Sequence, residues 1–311
     1  MTFVTRQTML ERIFLGVFMH KKISIFTFLL GISQATFCTT QFFTTPFDES
    51  MATGALDKYT PELGQTNPQW ALAKKLYDDN ALGTTPSKHP RIPKVIHQIW
   101  LGSSYPEKYV DLRDTWLAQN PGWKYKLWME EDIIALKLVN KKQYEKAKNY
   151  GERSDIARYE ILYRFGGLYI DTDFECLRSF DLFHDCFDFY AGLGFGHQFE
   201  LYNGLIGSVA GHPILKCAID RISAQKPGNK VDTPFSTGPI FFAQCFYDTM
   251  RSQSKAVRSH TVAFPCSYFY PWPCWERKYK EREEIEAWFK PETYAVHHWY
   301  TSWVNRGIKK H

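Results

Sequence analysis

The feature that most narrows the possible folds is one run in which a helix is stopped by two glycines and followed at once by an apolar strand ending in paired carboxylates. It reads Ser154-Asp155-Ile156-Ala157-Arg158-Tyr159-Glu160-Ile161-Leu162-Tyr163-Arg164-Phe165-Gly166-Gly167-Leu168-Tyr169-Ile170-Asp171-Thr172-Asp173. The pattern predicts a helix over 152–165 with Ser154 as its N-cap and the glycine pair as its stop. Residues 168–174 then read as a short strand. Asp171 and Asp173, two apart on an extended strand, point to the same side and offer oxygen ligands to one hard divalent cation. They fall at the end of the strand, where open α/β sheets bind their ligands. Asp155 and Arg158 are three apart on the helix and share a face. Asp155 can accept from sugar hydroxyls, and Arg158 can donate to hydroxyl or phosphate oxygens.

Elsewhere the chain alternates between the two kinds of element. A β-branched and aromatic run over 95–101 is opened by Ile92-Pro93 and closed by Gly102. A helix is expected over 107–119, ended by Asn120-Pro121-Gly122, then a strand over 123–129 and a helix over 130–138. Further strands are expected at 187–193, 204–210, 261–264 and 294–299, with helices at 213–224 and 239–250. Such alternation makes a mostly parallel sheet covered by helices. Residues 39–90 are rich in Thr, Pro, Asp and Asn with one helical stretch at 68–77, which reads as an N-terminal extension or neck before a single domain at 91–311.

A chain of 311 residues, 44% hydrophobic, suffices for one large domain with a substantial core. Ten Trp and eighteen Tyr exceed what a core needs, and flat amphipathic rings suit carbohydrate and nucleobase sites. The net charge is +5, of which Arg6, Arg12, Lys21 and Lys22 against Glu11 supply +3. The rest shows no basic stripe in sequence, so no nucleic-acid partner is expected. His20-Lys21-Lys22, the apolar run 23–32 and Ser33-Gln34-Ala35 read as an export or membrane-targeting segment over residues 1–38, with Met19 as an alternative start. That run is short of the ~20 residues that cross a bilayer. On this reading the chain is exported or membrane-associated through its N-terminus, with a cytoplasmic location as the alternative. Of seven cysteines, Cys38 borders the segment; the other six could pair after export, with connectivity open.

The stretch Ile92-Pro93-Lys94-Val95-Ile96-His97-Gln98-Ile99-Trp100-Leu101-Gly102 and the S-D-I-A-R-Y to D-T-D run together resemble the glycosyltransferases with a DXD-containing sugar-binding region. That family includes the fungal initiating α-1,6-mannosyltransferases and many bacterial polysaccharide enzymes, and is distantly similar to the glucosylating domains of large clostridial toxins. The resemblance covers roughly residues 91–305. It implies a GT-A fold of the α/β class, a mixed, mostly parallel sheet flanked by helices. It also implies Mn²⁺ or Mg²⁺, a UDP- or GDP-linked sugar donor, a glycan, lipid or protein acceptor, and retention of anomeric configuration.

Under the resemblance, Asp171 and Asp173 correspond to metal and diphosphate ligands, and Asp155 and Arg158 to donor-sugar and ribose contacts; Asp155, Asp171 and Asp173 are the catalytic candidates. Trp100 would stack the nucleobase, Tyr169 would line the donor pocket, and Asn203 would touch the sugar or acceptor. The block Tyr294-Ala295-Val296-His297-His298-Trp299-Tyr300-Thr301-Ser302-Trp303 resembles a closing segment of the family. His297 would be a third metal ligand, with neighbouring His298 leaving that choice open. Ser302 and Trp303 would close over the diphosphate and exclude water. Ser236-Thr237-Gly238-Pro239 is explained as a helix start with Pro at its first position. The alternative functions are a sugar-nucleotide hydrolase or nucleotidyltransferase-like enzyme, and a non-catalytic carbohydrate-binding protein.

Overall fold

The computed structural model describes residues 43–53, 66–195, 199–228, 230–278 and 281–300. Its eight strands are β1 (Val95–Ile99), β2 (Lys124–Trp128), β3 (Gly167–Ile170), β4 (Phe174–Cys176), β5 (Phe189–Phe195), β6 (Phe199–Ser208), β7 (Thr261–Phe264) and β8 (Ala295–His297). Six form one sheet in the order β2-β1-β3-β6-β5-β7. β1 is parallel to β2 and β3, and β5 to β7, while β6 runs antiparallel to both its neighbours. Five strands therefore share one direction, and this is the mixed, mostly parallel sheet flanked by helices that the alternating pattern predicts. β1 has β2 on one side and β3 on the other, so a crevice opens at their shared carboxyl ends, where such sheets take ligands.

Several elements differ from expectation for identifiable reasons. The helix before β3 runs Tyr150–Phe165, and its N-cap is Asn149, whose side chain accepts from Glu152 N at 2.8 Å. Ser154 lies a turn inside the helix and so cannot cap it; its hydroxyl is used by Arg158 and Tyr169. The expected strand at 168–174 is broken after Ile170. Asp171 to Asp173 form a turn, closed by Phe174 N donating to Asp171 O at 3.3 Å, and β4 then leaves the main sheet. β4 finds its partner in β8, with Phe174 opposite His297 and Cys176 opposite Ala295. The C-terminal strand thus belongs to a separate two-stranded ladder. β6 begins at Phe199 and is buried along its whole length, with β3 and β5 on its two edges and helices packed against it.

Part of the stretch expected as an extension supplies core. The described residues from Phe43 to Tyr300 belong to one folded unit. Phe43, Phe47, Trp70 and Tyr77 are at most 1% exposed. Phe43 sits 5.3 Å from the ring of Phe264 on β7, and Trp70 sits 5.1 Å from Phe199 on β6. The helix Phe47–Thr53 carries Phe47, the helix Pro68–Asn80 carries Trp70 and Tyr77, and the second packs on β7. Six described cysteines are free thiols. Among the described residues no helix is long and apolar enough to cross a membrane. The expected targeting segment, Met19 and Cys38 lie outside the described residues.

Gly166 and Gly167 make the tight passage from helix to sheet. Gly167 has φ 104°, and a Cβ there would lie 2.7 Å from the Val95 carbonyl oxygen. Gly167→Ala is therefore expected to destabilise the protein by about 2–4 kcal/mol, since both the backbone region and the space exclude a side chain. Thermal denaturation should show a fall of about 5–10 °C; an unchanged melting temperature would mean that the junction can open without cost.

Candidate active site

The cavity at the carboxyl ends of β1 and β3 has a volume of about 850 Å³. Trp100 and Leu101 border it from β1, Asp171 and Asp173 from β3, Asn203 from β6, and Asp155 and Arg158 from the helix. Arg158 and Asp155 are buried on that helix because its apolar face packs on the sheet, leaving the polar pair at the edge of the core.

Arg158 is the most heavily used group. One guanidinium nitrogen donates to Asn203 O at 2.6 Å and lies 3.2 Å from Asp171 Oδ1. The other donates to Ser154 Oγ at 3.1 Å and lies 3.2 Å from Asp155 Oδ1. The guanidinium stacks over the Tyr169 ring at 4.3 Å, and the Tyr169 hydroxyl donates to Asp171 Oδ1 at 2.7 Å. Burial alone would lower the Arg158 pKa, but the negative charges of Asp171 and Asp155 raise it above its ordinary value. Both oxygens of Asp155 are engaged: Oδ1 accepts from Asn203 Nδ2 at 2.8 Å and Oδ2 from Thr237 Oγ1 at 3.0 Å. Burial pushes its pKa up to about 6, against the pull of Arg158.

Asp173 is held differently. Its Oδ1 is 2.9 Å from His297 Nε2, and its Oδ2 accepts from Tyr300 N at 2.8 Å. Burial raises its pKa, but the His297 imidazole and these hydrogen bonds outweigh it and hold the carboxyl below its usual range. Asp171 is raised instead, by burial first and by the charge of Asp173, despite Arg158. The Tyr300 contact depends on Trp299, whose φ of 55° turns the chain so that the next N–H faces Asp173. Its indole is 4.1 Å from the His297 ring and bonds Trp272 O at 2.9 Å.

Asp171, Asp173 and His297 each place one ligand atom within 4.8 Å of the others. This donor set fits a hard or borderline divalent cation such as Mn²⁺ or Mg²⁺. Two further observations agree. Arg158 is shared by Asp155 and Asp171, and Asp173 has no contact with it, which concentrates carboxylate charge in a buried place. His297 Nδ1 is buried with no hydrogen-bond partner among the described residues. The adjacent histidines are separated by strand alternation: His297 meets Asp173, whereas His298 meets Glu175 on the other side of the ladder, 3.0 Å away.

The other expected residues are distributed as follows. Trp100 lines the cavity, with its Nε1 bonded to Ser103 Oγ at 3.1 Å and Ser104 O at 3.0 Å and its ring 5.2 Å from Tyr109. Tyr169 borders the cavity mainly as the plate beneath Arg158. Asn203 spends its amide on Asp155 and on the Tyr159 hydroxyl, 2.9 Å away. Ser302 and Trp303 lie outside the described residues. Sequence reasoning missed Thr237, dismissed as part of a helix start, and the Tyr300 N–H. The first had a signal, a hydroxyl in a turn just before a helix; a backbone donor has none.

Residues 106–188 match the family described as the glycosyltransferase sugar-binding region containing DXD motif. The D-x-D pair Asp171 and Asp173 lies inside the matched stretch. It is also 27% identical over 220 residues to inositol phosphoceramide mannosyltransferase 3 of Schizosaccharomyces pombe, covering 67% of this chain and 60% of that protein. With the mannosyl phosphorylinositol ceramide synthase SUR1 of Saccharomyces cerevisiae the identity is 32% over 169 residues, covering 51% and 42% of the two chains. Among solved structures, the PaToxG glycosyltransferase is similar with 18% identity and a TM-score of 0.47, covering 60% of this chain and 77% of that one. The chain thus spans 60% and 42% of the length of these two curated relatives, less than two-thirds of either.

The DXD region needs its neighbour on β6 to be small. A Cβ on Gly204 would stand 2.8 Å from Asp171 Oδ2. Gly204→Ala is expected to displace that carboxylate and weaken Mn²⁺ binding roughly tenfold or more, with little change in melting temperature. Calorimetric titration with Mn²⁺ checks this; unaltered affinity would exclude Asp171 from the cation site.

Proposed function

We propose that this protein is a metal-dependent glycosyltransferase that moves a hexose from a UDP- or GDP-linked donor to an acceptor hydroxyl with retention of configuration. The observation that carries the reading is the convergence of Asp171, Asp173 and His297 beside Asp155 and Arg158 at the mouth of one crevice. In the reaction the anomeric carbon–phosphate oxygen bond breaks, its electron pair stays with the nucleoside diphosphate, and the acceptor oxygen takes its place. The acceptor's proton passes to a phosphate oxygen of the departing group on the same face. Asp171, Asp173 and His297 would hold a divalent cation, which would supply Lewis-acid stabilisation of that leaving group.

The protein's own groups orient the donor. Arg158 is rigidly placed by Asp155, Asp171 and the Tyr169 ring, so its positive charge would act on the donor's phosphate oxygens as a fixed field without reorganising. Asp155 is locked by Asn203 and Thr237, which fixes Arg158 and the sugar subsite together. Trp100 provides an aromatic wall for the base. Trp299 packs on His297 and the Tyr300 N–H bonds Asp173; Ser302 and Trp303 would exclude water that diverts the donor to hydrolysis. The relatives' names make mannose the first sugar to test and an inositol-phosphate ceramide the first acceptor. The segment over residues 1–38 would bring the enzyme to a membrane or export it.

Purified protein assayed with a panel of UDP- and GDP-sugars should release nucleotide only with Mn²⁺ or Mg²⁺, and faster with acceptor present. Release that ignores every acceptor would instead indicate a hydrolase. Asp171→Asn and Asp173→Asn are each expected to lower turnover on the order of 10²–10³-fold while the circular dichroism spectrum stays unchanged. Near-normal turnover in both, at saturating Mn²⁺, would sink the assignment.

Trp100→Ala is expected to raise the donor KM about ten- to hundredfold with a smaller effect on kcat, because base stacking acts remotely from the bond that breaks. A change confined to kcat, or an unfolded variant, would give Trp100 a purely structural role.

A further inference from the structure

A cluster of positive charge is gathered at one place that sugar transfer does not use. Gln143, on the short helix Lys141–Glu145, donates to Ser223 O at 3.4 Å and Gln225 O at 3.3 Å. Lys148 Nζ donates to the Val231 carbonyl, and Asn149 Nδ2 to Thr233 Oγ1 at 3.1 Å. These bonds set residues 141–149 beside residues 225–233, which are far away in sequence. Together the two stretches hold Lys141, Lys142, Lys146, Lys148, Lys226 and Lys230 against Glu145 and Asp232, a local net of +4. All six lysines are exposed.

Within this basic patch two large apolar side chains stand in water. Val231 is 50% exposed and Phe235 57% exposed. The patch borders the cavity, because Asp232, Thr233 and Phe235 line it on one side and Tyr150 and Gly151 on the other. Scattered apolar residues need no explanation alone, and lysines alone make an ordinary solvated face. Their combination at the rim of a ligand cavity has the composition of a bilayer-interface contact. Apolar tips enter the boundary between head groups and acyl chains, and ammonium groups meet the phosphates. A nucleic acid would be served by the lysines, but the aliphatic Val231 offers it nothing.

We propose that Val231, Phe235 and the lysines around them dock the mouth of the cavity on an anionic phospholipid bilayer, so that hydroxyls on lipid head groups reach the site from the membrane surface. The docking stands by itself; the delivery of an acceptor rests on the transferase reading above.

The test is co-sedimentation of the full chain with vesicles of phosphatidylcholine alone or mixed with phosphatidylinositol, comparing wild type with Lys226→Glu/Lys230→Glu and with Val231→Ser/Phe235→Ser. Because all three proteins keep residues 1–38, any difference between them belongs to the patch. Wild type should bind the mixed vesicles, more weakly as salt is raised. Charge reversal should cut binding at least about tenfold, and the serine pair by roughly fivefold, with melting temperatures unchanged. Lys226→Glu/Lys230→Glu should keep its metal-dependent nucleotide release. Equal binding by wild type and both variants, or none by wild type, overturns the proposal. So does binding of an RNA oligonucleotide that the charge reversal abolishes while vesicles are ignored. Vesicle binding without any sugar transfer would sink the transferase reading and leave the docking surface intact.

Discussion

Everything at the site depends on one buried cation, the guanidinium of Arg158. It lies between Asp155 and Asp171 and over Tyr169, and bonds the backbone of β6 at Asn203. A buried charge of this kind is tolerable only when its partners and its remaining N–H groups are all engaged. That condition ties three elements together: the helix that carries Arg158, the turn that carries Asp171, and β6. Removing any partner would leave an uncompensated charge in a place largely closed to water. The same arrangement leaves Asp173 without help from Arg158, so its stability comes from elsewhere.

That help comes from the C-terminal ladder. β8 pairs with β4, and strand alternation sends His297 to Asp173 and His298 to Glu175. Glu175 is further held by Arg282, which fixes the outer side of the ladder. The left-handed backbone at Trp299 then delivers the Tyr300 N–H to Asp173. Strain of this kind persists where the surroundings over-determine it, and the Trp299 indole is held by Trp272 O and by the rings of Tyr202 and His297. A chain segment over a hundred residues from the aspartates is thus built into their first contacts. The cation and the protein's closing segment would share the same carboxylate.

The parts of the fold that were legible in sequence are those set by local chemistry. The helix ending at Gly166-Gly167, β1, β2 and β7, and the helices begun by Pro213 and Pro239, carry their own periodicity and stop signals. The misplaced details are those decided by distant partners. Ser154 looks like a cap because serine caps helices, yet Asn149 does the work and Ser154 faces Tyr169. Residues 168–174 look like one strand because every residue but the aspartates is apolar or β-branched; the break after Ile170 exists because β4 pairs with β8. The polar texture of residues 39–90 concealed Phe43, Phe47, Trp70 and Tyr77, whose burial requires the edge of a sheet more than a hundred residues downstream.

The sequence by itself determined the chemistry available: paired carboxylates after a glycine stop, an Asp and an Arg on one helical face, and a histidine pair near the end. Residue type and short spacing suffice for that, because they fix which atoms can donate, accept or ligate. Only the tertiary structure decided which of these atoms meet. It chose His297 over His298 as the partner of Asp173, recruited Thr237 and a backbone N–H that no pattern marks, and gathered six lysines from two separate stretches at the cavity's rim. Those outcomes depend on strand register and on contacts between residues some seventy or more apart, which sidedness within a single element cannot encode.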